Sequence, residues 1–341
     1  MPATIAGAGL AGLVAAIRLR QLGHSPRILE KGTRAGGSML LSSCVVWRHV
    51  EWEGFRSDCP RGDEALQRLI WERLDDALAW LESLGADAVW RDTENPLTTG
   101  RRYEPRALTR LLVEKAGGVE LETPLSNEAE QPLLLATGGF AARLARKRGL
   151  RLRANPWSEG DGLELARARG AAFVGDADEF YGRVMPAPPA RVREEDFVPL
   201  AQLYGHEARL LDPDGRDVTP AEVAWHENDL AQLIGRFGRE GAWYVVARTN
   251  ERIEAARAVG GTVVERGDGT LAVRVIAGVT HTLGGLGVDE QARVLGRDGQ
   301  PLPGLWAAGV DAGGIASGGY ASGLAQALVL GLAAAESIAA G

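Results

Sequence analysis

An α/β fold of the Rossmann type is what this sequence predicts, and two observations predict it. First, a short apolar strand over residues 2–6 runs directly into Gly7-Ala8-Gly9-Leu10-Ala11-Gly12, and a helical stretch and a second strand follow. Second, two later apolar runs, Leu133-Leu134-Leu135 and Leu305-Trp306-Ala307, also end in glycine turns, at Gly138-Gly139 and Gly309. Strands alternating with helices and closing on glycine turns are the signature of a largely parallel sheet.

Length and composition bound the rest. The 341 residues suffice for about two domains. Hydrophobic residues make up 45% and charged residues 24%, which excludes wholesale disorder. Glycine occupies 45 positions with no collagen period, so the excess points to close backbone approaches. A net charge of −7 argues against a nucleic-acid partner. Cys44 and Cys59 form neither a disulfide framework nor a zinc pattern, which suits a reducing, cytoplasmic setting. The first residues lack the basic region of a signal peptide. The apolar run Leu324–Ala340 is interrupted by Gln326, Gly331 and Glu336 and reads as too short for a membrane span.

The N-terminal motif has a part-by-part reading. Gly7 permits the tight strand-to-helix turn, and Gly9 lets backbone approach a pyrophosphate. Gly12 lets the helix Leu13–Leu22 pack closely on its strand, and the helix N-terminus faces the anion. The second strand, Pro26–Leu29, ends at Glu30, 23 residues after Gly7 and placed to accept from ribose hydroxyls. The motif by itself does not separate FAD from NAD. Gly36-Gly37-Ser38, just past that acid, looks like the second phosphate loop of FAD proteins. Farther on, Leu66, Leu69, Ile70, Leu74, Ala77, Leu78, Leu81 and Leu84 recur at helical spacing, with Trp71 and Trp80 as packing residues. Gly160-Asp161-Gly162-Leu163 opens a helix to Ala168, and Ala208–Gly215 reads as a strand and turn.

Thr280-His281-Thr282-Leu283-Gly284-Gly285-Leu286, followed by Gly304-Leu305-Trp306-Ala307-Ala308-Gly309-Val310-Asp311, carries the most specific signal. With the N-terminal motif and Phe180-Tyr181-Gly182-Arg183, it resembles the superfamily of FAD-dependent fumarate reductases, succinate dehydrogenase flavoproteins and 3-ketosteroid dehydrogenases, of which this is a shortened member. The resemblance implies a discontinuous FAD-binding domain, residues 1–178 and 278–341. A smaller α+β capping domain, residues 179–277, is inserted in it; the Pro- and acid-rich composition of 187–240 agrees.

The resemblance also implies a non-covalent FAD, because no histidine follows Ser38 closely and His49 lies outside the expected position. Cofactor contacts are expected at Gly7, Gly9, Leu10, Ala11, Gly12, Glu30, Lys31, Gly36, Gly37 and Ser38. Thr137, Gly138, Gly139, Asp161, Gly309, Asp311, Gly323 and Leu324 complete the set. Val310 stands where the family has a glutamate, so Asp311 is expected to take over its contact with the ribityl chain.

One departure shapes the functional expectation. Fumarate reductases carry an arginine in the segment corresponding to Ala316–Gly323, and none occurs here, which argues against dicarboxylates. The expected activity is desaturation, or the reverse ene-reduction, of a C–C bond beside a carbonyl in a small molecule, with an unidentified electron acceptor. His281 is expected at the substrate carbonyl or carboxylate, and a phenol at the proton, Tyr320 before Tyr181. The alternatives are an FAD-dependent oxidase or hydroxylase using O₂, and a flavin-binding protein with a degenerate site. No metal is expected.

Overall fold

A computed structural model describes residues 3–201, 205–250 and 252–341. The chain divides into two compact units, one of residues 1–140, 155–179 and 281–341, the other of residues 141–154 and 180–280. The first unit is built on a five-stranded sheet. Its order is Arg293–Leu295, Pro301–Ala307, Leu133–Leu135, Thr4–Ala6, Arg27–Leu29. Ile5 pairs in parallel with both Ile28 and Leu134, and Trp306 in parallel with Leu134; only Arg293–Leu295 runs antiparallel. Four parallel strands in near register therefore discharge their chain ends at one edge. Glu30, Gly7, Thr137 and the Gly309–Asp311 turn all emerge there, where an open α/β sheet binds ligand.

The first helix, Leu10–Gln21, begins three residues earlier than its apolar pattern suggests, with Gly9 as its N-cap. The helix thus runs through Gly12, where packing on the strand outweighs the weak helix propensity of glycine. It lies against the C-terminal helix Gly323–Ala340, and the fit is close. A Cβ at Gly331 would come within 2.7 Å of the Ala11 carbonyl oxygen. By length and composition, that C-terminal helix is long and apolar enough to cross a membrane, which corrects the expectation that it is too short. About two thirds of it is buried within the protein. The amphipathic helix Glu64–Ser83 forms as its spacing indicates, capped by the Asp63 carboxylate accepting from the Leu66 N–H. Trp71 donates to the His49 carbonyl and Trp80 to the Gln21 side chain, so both pack and brace.

The second unit is organised on the long strand Thr270–Thr282. Ala242–Ala247 and Val263–Glu265 pair with it antiparallel, and Arg209–Leu211 extends the sheet beyond Ala242–Ala247. The strand Arg209–Leu211 and its turn at Asp212–Gly215 match the pattern read from sequence. Residues 141–154 cluster here and not with the first unit, where the sequence reading put them. Their short strand Arg151–Leu152 joins this sheet in parallel with Gly278 and Val279, a pairing two residues long that leaves no periodic trace.

Candidate functional site

The glycines of the N-terminal motif divide by what surrounds them. Gly7 has φ +109°, and a Cβ there would lie 2.1 Å from the Ala136 carbonyl oxygen. A Cβ at Gly12 would lie 2.0 Å from the Gly7 carbonyl oxygen. Both are locked by backbone. Gly9 differs: a Cβ there would meet nothing within 4 Å, so it faces open space at the start of a helix. Backbone freed of side chain at a helix N-terminus is the geometry that receives a pyrophosphate.

Glu30 is 5% exposed and bridges the two glycine loops. Its carboxylate accepts from the Ala8 N–H at 2.9 Å and from the Gly32 N–H at 2.7 Å. Gly36 donates to the Ala8 carbonyl, and Gly37, at φ +53°, lies on the Gly9 Cα. The second glycine loop thus closes onto the first, with Leu10 and Ala11 buried directly behind it. Ser38 accepts from the Asn155 N–H at 3.0 Å. Lys31 and Asp161, each expected at the cofactor, are ion-paired with one another at 2.8 Å.

The third turn is held from below. Asp311, 2% exposed, accepts from the Gly139 N–H at 2.9 Å, from the Thr137 N–H, and from the Thr137 hydroxyl. Burial pushes its carboxyl above the usual 3.8, against the opposing pull of those donors. Asp311 braces the Thr137–Gly139 turn, because that turn's donors reach its carboxylate oxygens. Gly138 (φ +88°) stays unobstructed, and Gly309 (φ +65°) sits against the Ala11 methyl group. The side-chain amide of Gln326 donates to the Gly309 and Ala312 carbonyls at 2.7 and 2.8 Å. Its sequence signal, a polar residue inside an apolar run, reads equally well as a mere interruption.

The expected catalytic residues separate. His281 is the penultimate residue of the strand Thr270–Thr282, and its ring packs on Gly323, where an added Cβ would lie 3.0 Å from Cε1. Gly323 and Leu324 open the C-terminal helix. Tyr320 precedes it on the same loop, its ring 5.3 Å from that of Trp47. His281 and Tyr320 thus meet the two ends of one four-residue stretch. Tyr181 belongs to the second unit; it is buried, and its hydroxyl accepts from Arg183 Nε at 3.0 Å. Sequence reasoning missed Asn155, Gln326, Trp47 and Glu179, which reach the site only through the fold.

These residues fit a dinucleotide, since the open face at Gly9, the stacked glycine loops and the buried acid are all present. The pattern of the FAD binding domain family matches residues 103–324. The chain belongs to that family. An NAD(P)-binding Rossmann-like domain pattern matches residues 5–44, the strand, glycine turn and helix that FAD-binding domains share with nicotinamide-binding ones. The cofactor is FAD, and the residues above are those that would hold it.

Among solved structures, this FAD-binding chain is similar to the 3-ketosteroid-Δ4-(5α)-dehydrogenase of Rhodococcus jostii RHA1 in complex with 4-androstene-3,17-dione. The TM-score is 0.74 at 18% identity, covering 99% of this chain and 96% of that one. It is likewise similar to the 3-ketosteroid Δ1-dehydrogenase of Sterolibacterium denitrificans in complex with 1,4-androstadiene-3,17-dione, with TM-score 0.71, 14% identity and 99% coverage of both chains. A flavocytochrome c3 fumarate reductase in its open conformation aligns at TM-score 0.73 and 18% identity, covering 99% of this chain and 78% of that one. At these identities the likeness is one of fold. No curated protein matches the sequence.

Proposed function

We propose that this chain is an FAD-dependent oxidoreductase that desaturates a C–C bond beside a carbonyl, or reduces it in reverse, in a small organic molecule. The observation that carries the reading is the placement of His281 and Tyr320 at the two ends of the stretch 320–323 that opens the C-terminal helix. Bound FAD supplies the hydride acceptor at its N5 position. The imidazole of His281, fixed against Gly323, donates to the substrate carbonyl and stabilises the enolate that forms as the neighbouring C–H bond breaks. Tyr320, its hydroxyl proton first lost to solvent, takes that proton as the phenolate, its ring held in position by Trp47. Tyr181, which accepts from Arg183, is the second candidate for the proton.

The steroid-dione complexes of the structural relatives support a cyclic ketone as the substrate class. Both cysteines are free, buried thiols, which supports a cytoplasmic setting. The test is direct. The purified protein is expected to be yellow, to release FAD on heat denaturation, and to bleach anaerobically with a saturated cyclic ketone. Bleaching by no member of a panel of cyclic ketones and enones, in either direction, refutes the reading.

A further inference from the structure

We infer that Arg61 anchors a carboxylate group of the substrate, remote from the carbon atoms that react; this rests on the function proposed above. The Ala316–Gly323 loop has no arginine of its own, and the fold brings one to it from more than 250 residues upstream. The chain from Cys59 to Asp63 is stitched along this loop. The Arg61 N–H donates to the Ser317 carbonyl at 3.2 Å and the Asp63 N–H to the Gly314 carbonyl at 2.8 Å. The Gln67 amide bridges the Cys59 and Ile315 carbonyls at 3.0 and 2.7 Å. Gly318 lies against the guanidinium itself, for a Cβ there would meet Arg61 Nε at 3.5 Å.

The guanidinium is only partly used. Nη2 donates to Glu179 Oε1 at 2.8 Å, and the Arg61 side chain is still 68% exposed. Nε and Nη1 have no hydrogen bond to any described residue. Glu179 is 12% exposed, and the same oxygen also accepts from the Gly318 N–H at 2.9 Å. It is thus a largely covered brace that fixes the direction of Arg61 and leaves donors pointing outward. A guanidinium oriented by a part-buried acid and open on its other nitrogens is suited to a carboxylate, which accepts charge-assisted hydrogen bonds. Glu179 already offsets one positive charge, so the site suits one carboxylate and not two.

Size follows from the loop. Arg61 lies against Gly318 and His281 against Gly323, five residues on, and the Cα atoms of those two glycines are at most about 18 Å apart. The substrate class is therefore a keto acid with its ketone at His281 and its carboxylate at Arg61.

Calorimetric titration of the holoenzyme with 4-oxocyclohexanecarboxylate and with its uncharged methyl ester tests this. The acid is expected to bind about 10- to 100-fold tighter than the ester. Arg61→Gln should collapse that ratio toward one, and Arg61→Lys should restore part of it. Equal binding of acid and ester by the wild-type protein overturns the inference. So does an Arg61→Gln variant that weakens both ligands alike, which marks a purely structural role. If the acid binds preferentially through Arg61 but bleaches no flavin, and no other ketone does, the anchor stands and the desaturation reading falls.

Discussion

The Asp311 carboxylate accepts from the Gly139 N–H at 2.9 Å, joining two strand ends that lie 172 positions apart in sequence. With the Thr137 bonds it converts two parallel strand ends into one rigid floor beneath the cofactor site. Removing the carboxylate leaves two buried N–H groups without an acceptor. Asp311→Ala should therefore cost about 2–5 kcal/mol of stability and release FAD, read by denaturant melts and flavin content. Burial raises this carboxyl's pKa above 3.8, so the folded state holds its proton more tightly than the unfolded chain does. The contribution is then complete below pH 3.8 and declines as pH rises through the folded value. The stability gap between wild type and variant should be wider near the acid end of that window than at neutrality.

Gly9 and Gly12 should respond oppositely to the same methyl group. At Gly12 it meets the Gly7 carbonyl oxygen at 2.0 Å, so Gly12→Ala should destabilise even the apoprotein, by about 1–3 kcal/mol or more. At Gly9 it meets nothing, so Gly9→Ala should leave apoprotein melting nearly unchanged while weakening FAD at least about 10-fold. Equal effects of the two variants on apoprotein stability would sink this division of labour.

Tyr320→Phe keeps the ring that packs on Trp47 and removes only the hydroxyl. Flavin content and melting temperature should hold, and kcat should fall about 10²- to 10⁴-fold with loss of the solvent isotope effect. His281→Ala should raise KM and lower kcat together. An unchanged pH–rate profile in Tyr320→Phe transfers the proton role to Tyr181.

Cys44 and Cys59 are both buried, and burial pushes each thiol up to about 12. At pH 8 the thiolate fraction is then about 10⁻⁴. Ellman's reagent should find neither thiol in the native protein and both after unfolding. Rapid native labelling of either would contradict their placement.

What the sequence made legible was local. The Gly7–Gly12 turn, Glu30 and the helix Glu64–Ser83 announce themselves because their chemistry and periodicity lie within one stretch. Braces that span the fold leave no such trace. Nothing near Asn155 signals that its N–H reaches Ser38, and nothing near Glu179 signals Gly318. Asp311 was legible as a site residue but not as a brace, since its partners at 137–139 come to it only when the parallel strands align. Lys31 and Asp161 illustrate the same limit: each reads as a cofactor contact, and together they form an ion pair.

The central claim is that this FAD-binding chain moves hydrogen across a C–C bond next to a carbonyl. An anaerobic single turnover of the holoenzyme with a saturated cyclic ketone, quenched and analysed by mass, tests it most directly. Flavin bleaching is expected, with the α,β-unsaturated ketone in amounts equal to the bound FAD, or, in reverse, enone-driven reoxidation of the reduced flavin. Bleaching with any other product, such as a hydroxylated ketone once oxygen is admitted, would contradict it.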